Sequence, residues 1–403
     1  MTEPYRYLQS LQPLAMRFGL ERMVRALDAL GHPERSFPIL HVAGTNGKGS
    51  TCAMAAAALR AAGYRVGLYT SPHLVRFGER IQIDGQEIDD ASLARCIDAI
   101  RGACPWHEAD GDGDRLTYFE FATLVALLHF AAERIAVAVL EVGLGGRFDA
   151  TNAVTPRVTA VTHIGLDHVQ LLGNTVGDIA REKAGIFKPG VPAVVAGEQP
   201  AEAMAVLRAE AERRGAPFSA APAHYPGAMS LRGPHQSGNA ALAAAALRLL
   251  DREGLSVPPA AIEAGIAGAR WPGRLEEVGG VLLDGAHNPD GAAALSRALA
   301  ALYPGRPVEL VFGVLTDKDH QGILRQLSGQ VRALHLIAPA TPRARAPESY
   351  RELAQGLFPT VHVHTGCAEA IDCARRAAAA GQALVCVAGS LYLVGEARQR
   401  LGG

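Results

Sequence analysis

Pro38-Ile39-Leu40-His41-Val42-Ala43-Gly44-Thr45-Asn46-Gly47-Lys48-Gly49-Ser50 is the stretch whose reading decides the fold. Its first half, Pro38–Val42, is a short apolar run of strand character, and its second half is a glycine-rich turn. An alanine-rich helix follows and stops at Gly63, and Tyr64–Tyr69 supplies a second strand at once. Strand, glycine-rich turn, helix and strand make a βαβ unit, whose first turn is the usual seat of a phosphate. Backbone N–H groups of such a turn form an anion nest at a helix amino end, and Lys48 adds a mobile cation for β- and γ-phosphates. The strict pattern G-x-x-x-x-G-K-[ST] is not met. Val42 stands where the first glycine belongs, and Gly49 separates Lys48 from Ser50.

Outward from this unit the alternation continues. Val137–Leu140, Val158–Val161 and Val191–Ala196 read as buried strands, because they are continuous, β-branched and bounded by turn residues. Helical segments lie between them, including Tyr118–Arg134 and Asp178–Phe187, while Ala103–Arg115, rich in Gly and Asp, reads as a solvated loop. A second series begins after Trp271-Pro272-Gly273-Arg274, with strands at Val281–Leu283, Val308–Phe312, Ala333–Ile337, Val361–His364 and Leu384–Ala388. Five βα units there make a doubly wound domain. At about 150 residues per domain, 403 residues suit two domains. The expected fold class is therefore α/β: a P-loop mononucleotide-binding domain over 1–272, followed by a smaller Rossmann-like doubly wound α/β domain over 273–403.

Composition narrows the partners. With 39 basic and 40 acidic residues the net charge is −1, which gives no electrostatic reason to expect nucleic acid or an anionic membrane. Six cysteines without a C-x-x-C pair read as reduced thiols, and the polar N-terminus carries no signal core. The longest apolar stretches fall far short of the ~20 residues of a membrane span. A cytoplasmic monomer is expected.

Several chemically capable residues stand at strand ends. Ser71 follows the strand ending at Tyr69, Glu141 caps Val137–Leu140, and Asp167 and His168 follow the strand that begins at Val158. Ligands of open α/β sheets bind outside the carboxyl ends of the strands, so these groups are placed to meet the phosphates. A hydroxyl, a carboxylate and an imidazole beside phosphate oxygens make a workable Mg²⁺ site. Singly, Glu141 reads as well as an acceptor for loop N–H groups, His168 as a surface histidine, and His163 as a packed one. In the second domain, Asp284-Gly285-Ala286-His287-Asn288-Pro289 is either a plain strand–helix turn or a place from which Asp284 or His287 faces a nucleotide across an interdomain cleft. Arg274 in the linker suits the same cleft, since a guanidinium grips phosphate oxygens. Gly313–Asp319 ends the next strand on that side.

Together these motifs resemble the dihydrofolate synthase/folylpolyglutamate synthase family. The resemblance rests on Gly44–Ser50, Ser71-Pro72-His73-Leu74, Glu141–Asn152 (EVGLGGRFDATN), Leu166-Asp167-His168, Glu182-Lys183-Ala184-Gly185-Ile186 and Asp284–Pro289, and runs in order from about residue 19 to residue 319. The irregular P-loop is then this family's own variant. The resemblance implies ATP as co-substrate on Gly47, Lys48, Gly49 and Ser50, with Asn239, Arg274 and Asp284 completing the nucleotide site. It implies Mg²⁺, as two ions, with Ser71, Glu141 and His168 as ligands, and a carbamylated Lys183. The residues alone would pair Lys183 with Glu182 or another acid on a helix face. A pterin substrate is implied near Leu20, near Thr117-Tyr118-Phe119-Glu120, and against Phe148, Asp149 and Ala150; from the residues alone Tyr118 and Phe119 read as helix core.

The implied reaction joins L-glutamate to dihydropteroate, and to reduced folates, through an acyl phosphate, with Lys48, Lys183, His168 and Arg274 as its catalytic groups. The nearest alternative is a Mur-type peptidoglycan ligase. Such enzymes carry an extra N-terminal domain, whereas 43 residues precede Gly44, fewer than the ~50 of a small domain. A nucleotide-binding switch is a further alternative, but no Asn-Lys dipeptide of a GTPase base-reading motif occurs.

Overall fold

A computed structural model describes residues 3–11, 18–108 and 115–403. The chain forms two compact units: Met1–Ile164, Val176–Ala228 and Asn239–Ala269 make the first, and Gly165–Thr175, Met229–Gly238 and Arg270–Gly403 the second. Two segments that the sequence reading counts with the first domain thus side with the second. Their contacts explain it: Asp167 pairs with Lys318, and Arg232 bonds the Tyr303 hydroxyl.

The strands are β1 Ile39–Ala43, β2 Val66–Tyr69, β3 Ile81–Ile83, β4 Gln86–Glu87, β5 Val137–Glu141, β6 Val158–Val161, β7 Ala193–Val195 and β8 Phe218–Ala220 in the first unit. They form one sheet in the order β4-β3-β2-β5-β1-β6-β7-β8. From β2 to β8 it is parallel; β3 and β4 add an antiparallel edge. β1, β5 and β6 are buried at every residue, as central parallel strands covered on both faces must be. Between β5 and β6, β1 occupies the position where the connections diverge, so the crevice beyond its carboxyl end is the place for a ligand. The helix Lys48–Ala61 leaves that end almost wholly buried, and alanine side chains let it lie between the sheet and the helix Pro259–Gly268.

The second unit has β9 Glu276–Val278, β10 Val281–Leu283, β11 Val308–Phe312, β12 Val331–Leu336, β13 Thr360–Val363 and β14 Leu384–Ala388. Their order is β13-β12-β11-β14-β10-β9, parallel except for β9. The five strands read from sequence are these five parallel ones. The short strands β3, β4, β8 and β9 escape such a reading because polar residues interrupt them, whereas β7 and β10, no longer, are continuous apolar runs.

The segment read as a solvated loop needs correction at its flank. Residues 109–114 lie outside the described residues, but Cys104 and His107 are buried. The His107 ring accepts from Leu116 N at 2.9 Å and lies 5.3 Å from the Phe121 ring, so it closes the base of the loop.

Candidate active site

The turn after β1 is fixed from both sides. Thr45 N and Asn46 N donate to the His163 carbonyl at 3.0 and 3.3 Å. It is therefore the backbone of His163, which no sequence pattern marks, that holds the turn to the end of β6. Gly47 adopts φ 94° as N-cap of the helix Lys48–Ala61, and a β-carbon there would collide with the Asn239 amide. Asn239 is buried and reaches this turn from the helix His235–Arg252. Gly47, Lys48, Gly49, Ser50 and Asn239 therefore share one corner of the first unit. Lys48 Nζ folds back onto the carbonyls of Gly44 and Thr45 at 2.9 and 3.1 Å. Lys183 Nζ, from another helix, also donates to the Gly44 carbonyl at 2.9 Å. Two ammonium groups thus converge on one backbone oxygen beside a helix amino end, an arrangement that concentrates positive charge where an anion would sit.

A tight packing contact sets the position of Lys183. Gly146, in the glycine-rich loop after β5, lies so close to the Glu182 and Lys183 backbone that a β-carbon would stand 2.7 Å from the Glu182 carbonyl. Arg147 N donates to that same carbonyl at 2.9 Å, and the Asn152 amide bridges the carbonyls of Arg147 and Gly185. The loop and the Lys183 helix are one stitched body, and Lys183 is buried within it. The residues alone would pair it with Glu182 or another acid on a helix face; the structure buries it and gives its Nζ the Gly44 carbonyl.

Glu141, the last residue of β5, is 4% exposed and accepts from Ser71 N at 3.1 Å. The two metal-ligand candidates of the first unit are therefore neighbours. His168 lies in the second unit, where its Nε2 is 3.1 Å from Lys318 Nζ. An ammonium only donates, so this nitrogen is the acceptor and its lone pair is engaged. Burial lowers the His168 pKa to about 4, so the ring is neutral at neutral pH.

The residues expected around a pterin divide into scaffold and surface. Thr117 and Glu120 cap the helix Tyr118–Ala132 reciprocally: Thr117 N donates to Glu120 Oε2 at 2.7 Å, and Glu120 N to Thr117 Oγ1 at 3.3 Å. The buried Glu120 also pairs with Arg22 at 2.9 Å, which ties the segment of Leu20 to this cap. Asp149 accepts from Leu144 N, Thr151 N and Thr151 Oγ1; burial raises its pKa against these hydrogen bonds. It shapes the loop, and Ala150 follows it into a buried 3₁₀ turn. Phe148 is 40% exposed, with the Phe18 ring edge-on at 6.1 Å and the Arg147 guanidinium 4.9 Å away. Phe119 lies against Gly143 and 6.1 Å from the Tyr69 ring, while Arg80 covers Tyr118 at 5.4 Å. Both are half-buried, neither fully core nor surface.

In the second unit Asp284, at the end of β10, accepts from Leu275 N and Ala286 N at 3.0 Å each. Arg274, one residue before Leu275, bonds the Gly273 carbonyl at 3.1 Å, and its charge and that of Asp284 act in opposite directions on the buried His235. Around Asp167 a closed network forms: Lys318 Nζ at 2.6 Å, the Asn288 amide at 3.0 Å and His287 Nε2 at 3.6 Å. Burial pushes the Asp167 carboxyl up, but the His287 hydrogen bond and the charges of His287, Lys318 and His168 hold it well below the usual range. Nothing in the sequence joins Asp167 to Lys318, 151 positions on.

Residues 42–224 match the family model of the Mur ligase middle domain, and residues 273–391 that of the Mur ligase, glutamate ligase domain. The chain is 37% identical, over 95% of its own length and 95% of the relative's, to the dihydrofolate synthase/folylpolyglutamate synthase of Bacillus subtilis. It is 39% identical to the protein of that name from Escherichia coli, over 86% of this chain and 83% of the relative. Among solved structures, E. coli FolC in complex with DHPP and ADP superposes with a TM-score of 0.87 at 35% identity, covering 100% of this chain and 98% of that one. Mycobacterium tuberculosis folylpolyglutamate synthase complexed with ADP gives a TM-score of 0.90 at 34% identity, covering 99% and 97%.

Proposed function

The chain belongs to the dihydrofolate synthase/folylpolyglutamate synthase family of Mur ligases, and on that premise we propose that it joins L-glutamate to dihydropteroate, forming dihydrofolate, and extends reduced folates through their γ-carboxylate. It is an ATP-dependent ligase, and it acts as a cytoplasmic monomer in this reading. No helix among the described residues is long and apolar enough to cross a membrane. The observation that carries the reading is the seat of Lys48, whose ammonium rests on the Gly44 and Thr45 carbonyls at the head of the Lys48–Ala61 helix.

A carboxylate is a poor electrophile, so the γ-phosphoryl group of ATP first moves onto it and gives an acyl phosphate. Lys48 is the group that moves: its ammonium exchanges two carbonyl oxygens for phosphate oxygens. Gly47, Gly49 and Ser50 present backbone at the helix head, and Asn239 orients the turn. Arg274 offsets charge on the transferring group, and Asp284 fixes the backbone next to Arg274 through Leu275 N. The amine of L-glutamate then attacks the acyl carbon, and phosphate leaves. Phe148 and Phe119 offer ring faces to the flat pterin, over a scaffold of Leu20, Thr117, Tyr118, Glu120, Asp149 and Ala150.

The oxygen donors of Ser71 and the buried Glu141 fit Mg²⁺, a hard cation. We assign them as its ligands, with His168 joining only when its Nε2 gives up the Lys318 hydrogen bond. When bound, the ion supplies positive charge to the phosphate oxygens. We assign Lys183 as carbamylated in the active enzyme. An ammonium opposes a unit positive charge by about 4 kcal/mol at about 4 Å and an effective dielectric of about 20. Reaction of the neutral amine with CO₂ forms an N–C bond, releases one proton and leaves an anion suited to a second Mg²⁺.

ADP release from the purified chain tests the reading, with ATP and glutamate present and dihydropteroate or tetrahydrofolate added in separate arms. Release that requires both glutamate and a pterin acid supports it. Release with neither marks a nucleotide switch, and turnover of a UDP-muramyl acid instead marks a peptidoglycan ligase; either result overturns it.

A further inference from the structure

Far along the second unit's sheet, three histidines and a cysteine gather for reasons the ligase chemistry does not use. His335 lies on β12, 0% exposed, and His362 and His364 lie on and just beyond the edge strand β13. Cys373 comes from the helix Cys367–Gly381, which packs over β11 and β12. Ligand atoms of His335, His364 and Cys373 lie within 4.8 Å of one another.

The hydrogen bonds fix where the protons are. Glu309 on β11 is 1% exposed; its Oε1 accepts from Arg332 at 2.7 Å and its Oε2 faces His335 Nε2 at 2.9 Å. A carboxylate only accepts, so His335 carries its proton on Nε2 and leaves Nδ1 bare. That bare Nδ1 faces His364 Nε2 at 3.0 Å, which makes His364 the donor there. In the neutral ring His364 Nδ1 is then bare as well. It is buried without a hydrogen-bond partner, and it stands 3.6 Å from the acceptor-only Glu369 Oε1. The proton of His364 is on the wrong nitrogen for its carboxylate neighbour.

We propose that His335 Nδ1, His364 Nε2 and the Cys373 thiolate bind one Zn²⁺ ion that clamps β12, β13 and the Cys367–Gly381 helix. The ion replaces the His–His hydrogen bond, the Cys373 thiol releases its proton to solvent as the S–Zn bond forms, and the His364 proton moves to Nδ1, where it meets Glu369. Each imidazole then donates its second N–H to a carboxylate, His335 to Glu309 and His364 to Glu369, which is how metal-bound histidines are usually oriented. Zn–N distances of about 2.0–2.1 Å and Zn–S of about 2.3 Å place ligand atoms about 3.3–3.8 Å apart, so closure needs a shift of about 1 Å from the present spacing. A mixed nitrogen and thiolate set suits borderline-soft Zn²⁺ and not Mg²⁺. Burial lowers the pKa of both imidazoles, against Glu309 and Glu369, which keeps them neutral and able to bind. Cys373 is half-buried, which leaves the ion a way in.

The test is titration of the chelator-treated full chain with Zn²⁺, and in parallel with Co²⁺, in the presence of excess Mg²⁺ and ADP. The expected result is one Zn²⁺ per chain, a higher melting temperature on loading, and a thiolate-to-cobalt charge-transfer band. Cys373→Ser, a near-isosteric change at a half-buried position, should remove the band and the bound ion without unfolding the protein. Glu369→Gln, on an exposed side chain, should weaken Zn²⁺ binding by about 10–100-fold. No uptake, or uptake and a band unchanged in Cys373→Ser, overturns the site. A slow-exchanging His364 proton signal that Zn²⁺ does not displace also overturns it, since the cluster then holds a proton and no metal.

Discussion

The two units hold their strand-end charges in opposite ways. In the first, Lys48 and Lys183 rest on a backbone carbonyl, and Glu141 accepts a backbone N–H from Ser71. In the second, Asp167 is held by Lys318, His287 and Asn288, side chain against side chain. An ammonium on a carbonyl exchanges it for a phosphate oxygen with a gain in Coulomb energy. An ammonium already on a carboxylate has no such gain to make. In the proposed function, then, Lys48 is placed to exchange its carbonyls for an incoming anion, whereas the Asp167 network holds its own loops in place. Substitutions of Lys48, Lys183 and Glu141 should therefore strike activity, and substitutions in the Asp167–Lys318 pair should strike stability.

The largest effect belongs to Glu141. Glu141→Ala should abolish ligation while the protein still melts cooperatively, because a buried strand-end carboxylate beside Ser71 serves charge, not packing. Near-normal turnover, or loss of the cooperative transition, breaks the comparison at its first term. Lys183→Ala should lose most activity, and ¹³CO₂-treated enzyme should show a carbamate carbon signal that this variant lacks. Wild-type enzyme that turns over normally with no such signal removes the assignment. Lys48→Met should lower kcat by about 10²–10³-fold at a stability cost of about 1 kcal/mol, read from single-turnover kinetics and urea titrations. A loss of stability larger than the loss of activity would mean that Lys48 is a turn brace.

How much of this was legible beforehand follows the same division. The P-loop corner could be read because consecutive residues, Gly44 to Ser50, make it, and because buried parallel strands announce themselves as apolar runs. The Thr117–Glu120 spacing likewise carries its reciprocal cap on its face, although the resemblance put those residues near a pterin. What stayed hidden is held by backbone or by distance. The His163 carbonyl that anchors the turn has no side-chain signature, and Asn239, which the resemblance alone placed with Gly47, meets it because a distant helix crosses there. The Asp167–Lys318 pair joins residues from separate βα connections, and it is what draws Gly165–Thr175 into the second unit. The His335–His364 contact needs the β12–β13 register, in which His335 stands opposite His362.

Lys318→Met sharpens the second half of the comparison. Side chains 6% and 10% exposed make this a nearly buried pair, and removing one partner strands the other's charge at a cost of about 3–5 kcal/mol. Adding Asp167→Asn should recover much of that loss, since the stranded charge goes with it. Equal losses in the single and double variants would show that Lys318 stabilises through something other than Asp167.

The smallest effect is a pH slope, and its sign is fixed by the same network. Burial lowers the His168 pKa to about 4, against about 6.5 in an unfolded chain. Between those values the unfolded chain binds a proton at His168 that the folded chain does not. Stability therefore falls as pH drops from about 6.5 to about 4, and this group adds nothing further below that. Asp167 takes over in the next window. Its folded pKa is depressed, so its contribution is whole above the unfolded value of about 3.9 and is lost as pH falls further. His41, lowered to about 3, and His73, lowered to about 4, tilt the first unit in the same direction, so a whole-chain melt cannot assign the slope. The chain's two tryptophans separate them: Trp106 belongs to the first unit and Trp271 to the second. In a Trp106→Phe background, Trp271 fluorescence reports the second unit alone, and its urea midpoint should decline from pH 6.5 to 4. His168→Gln should flatten that decline by the slope of one proton. An unchanged slope in His168→Gln would mean that the ring is not held neutral by its burial beside Lys318, and the account of a closed network would fail with it.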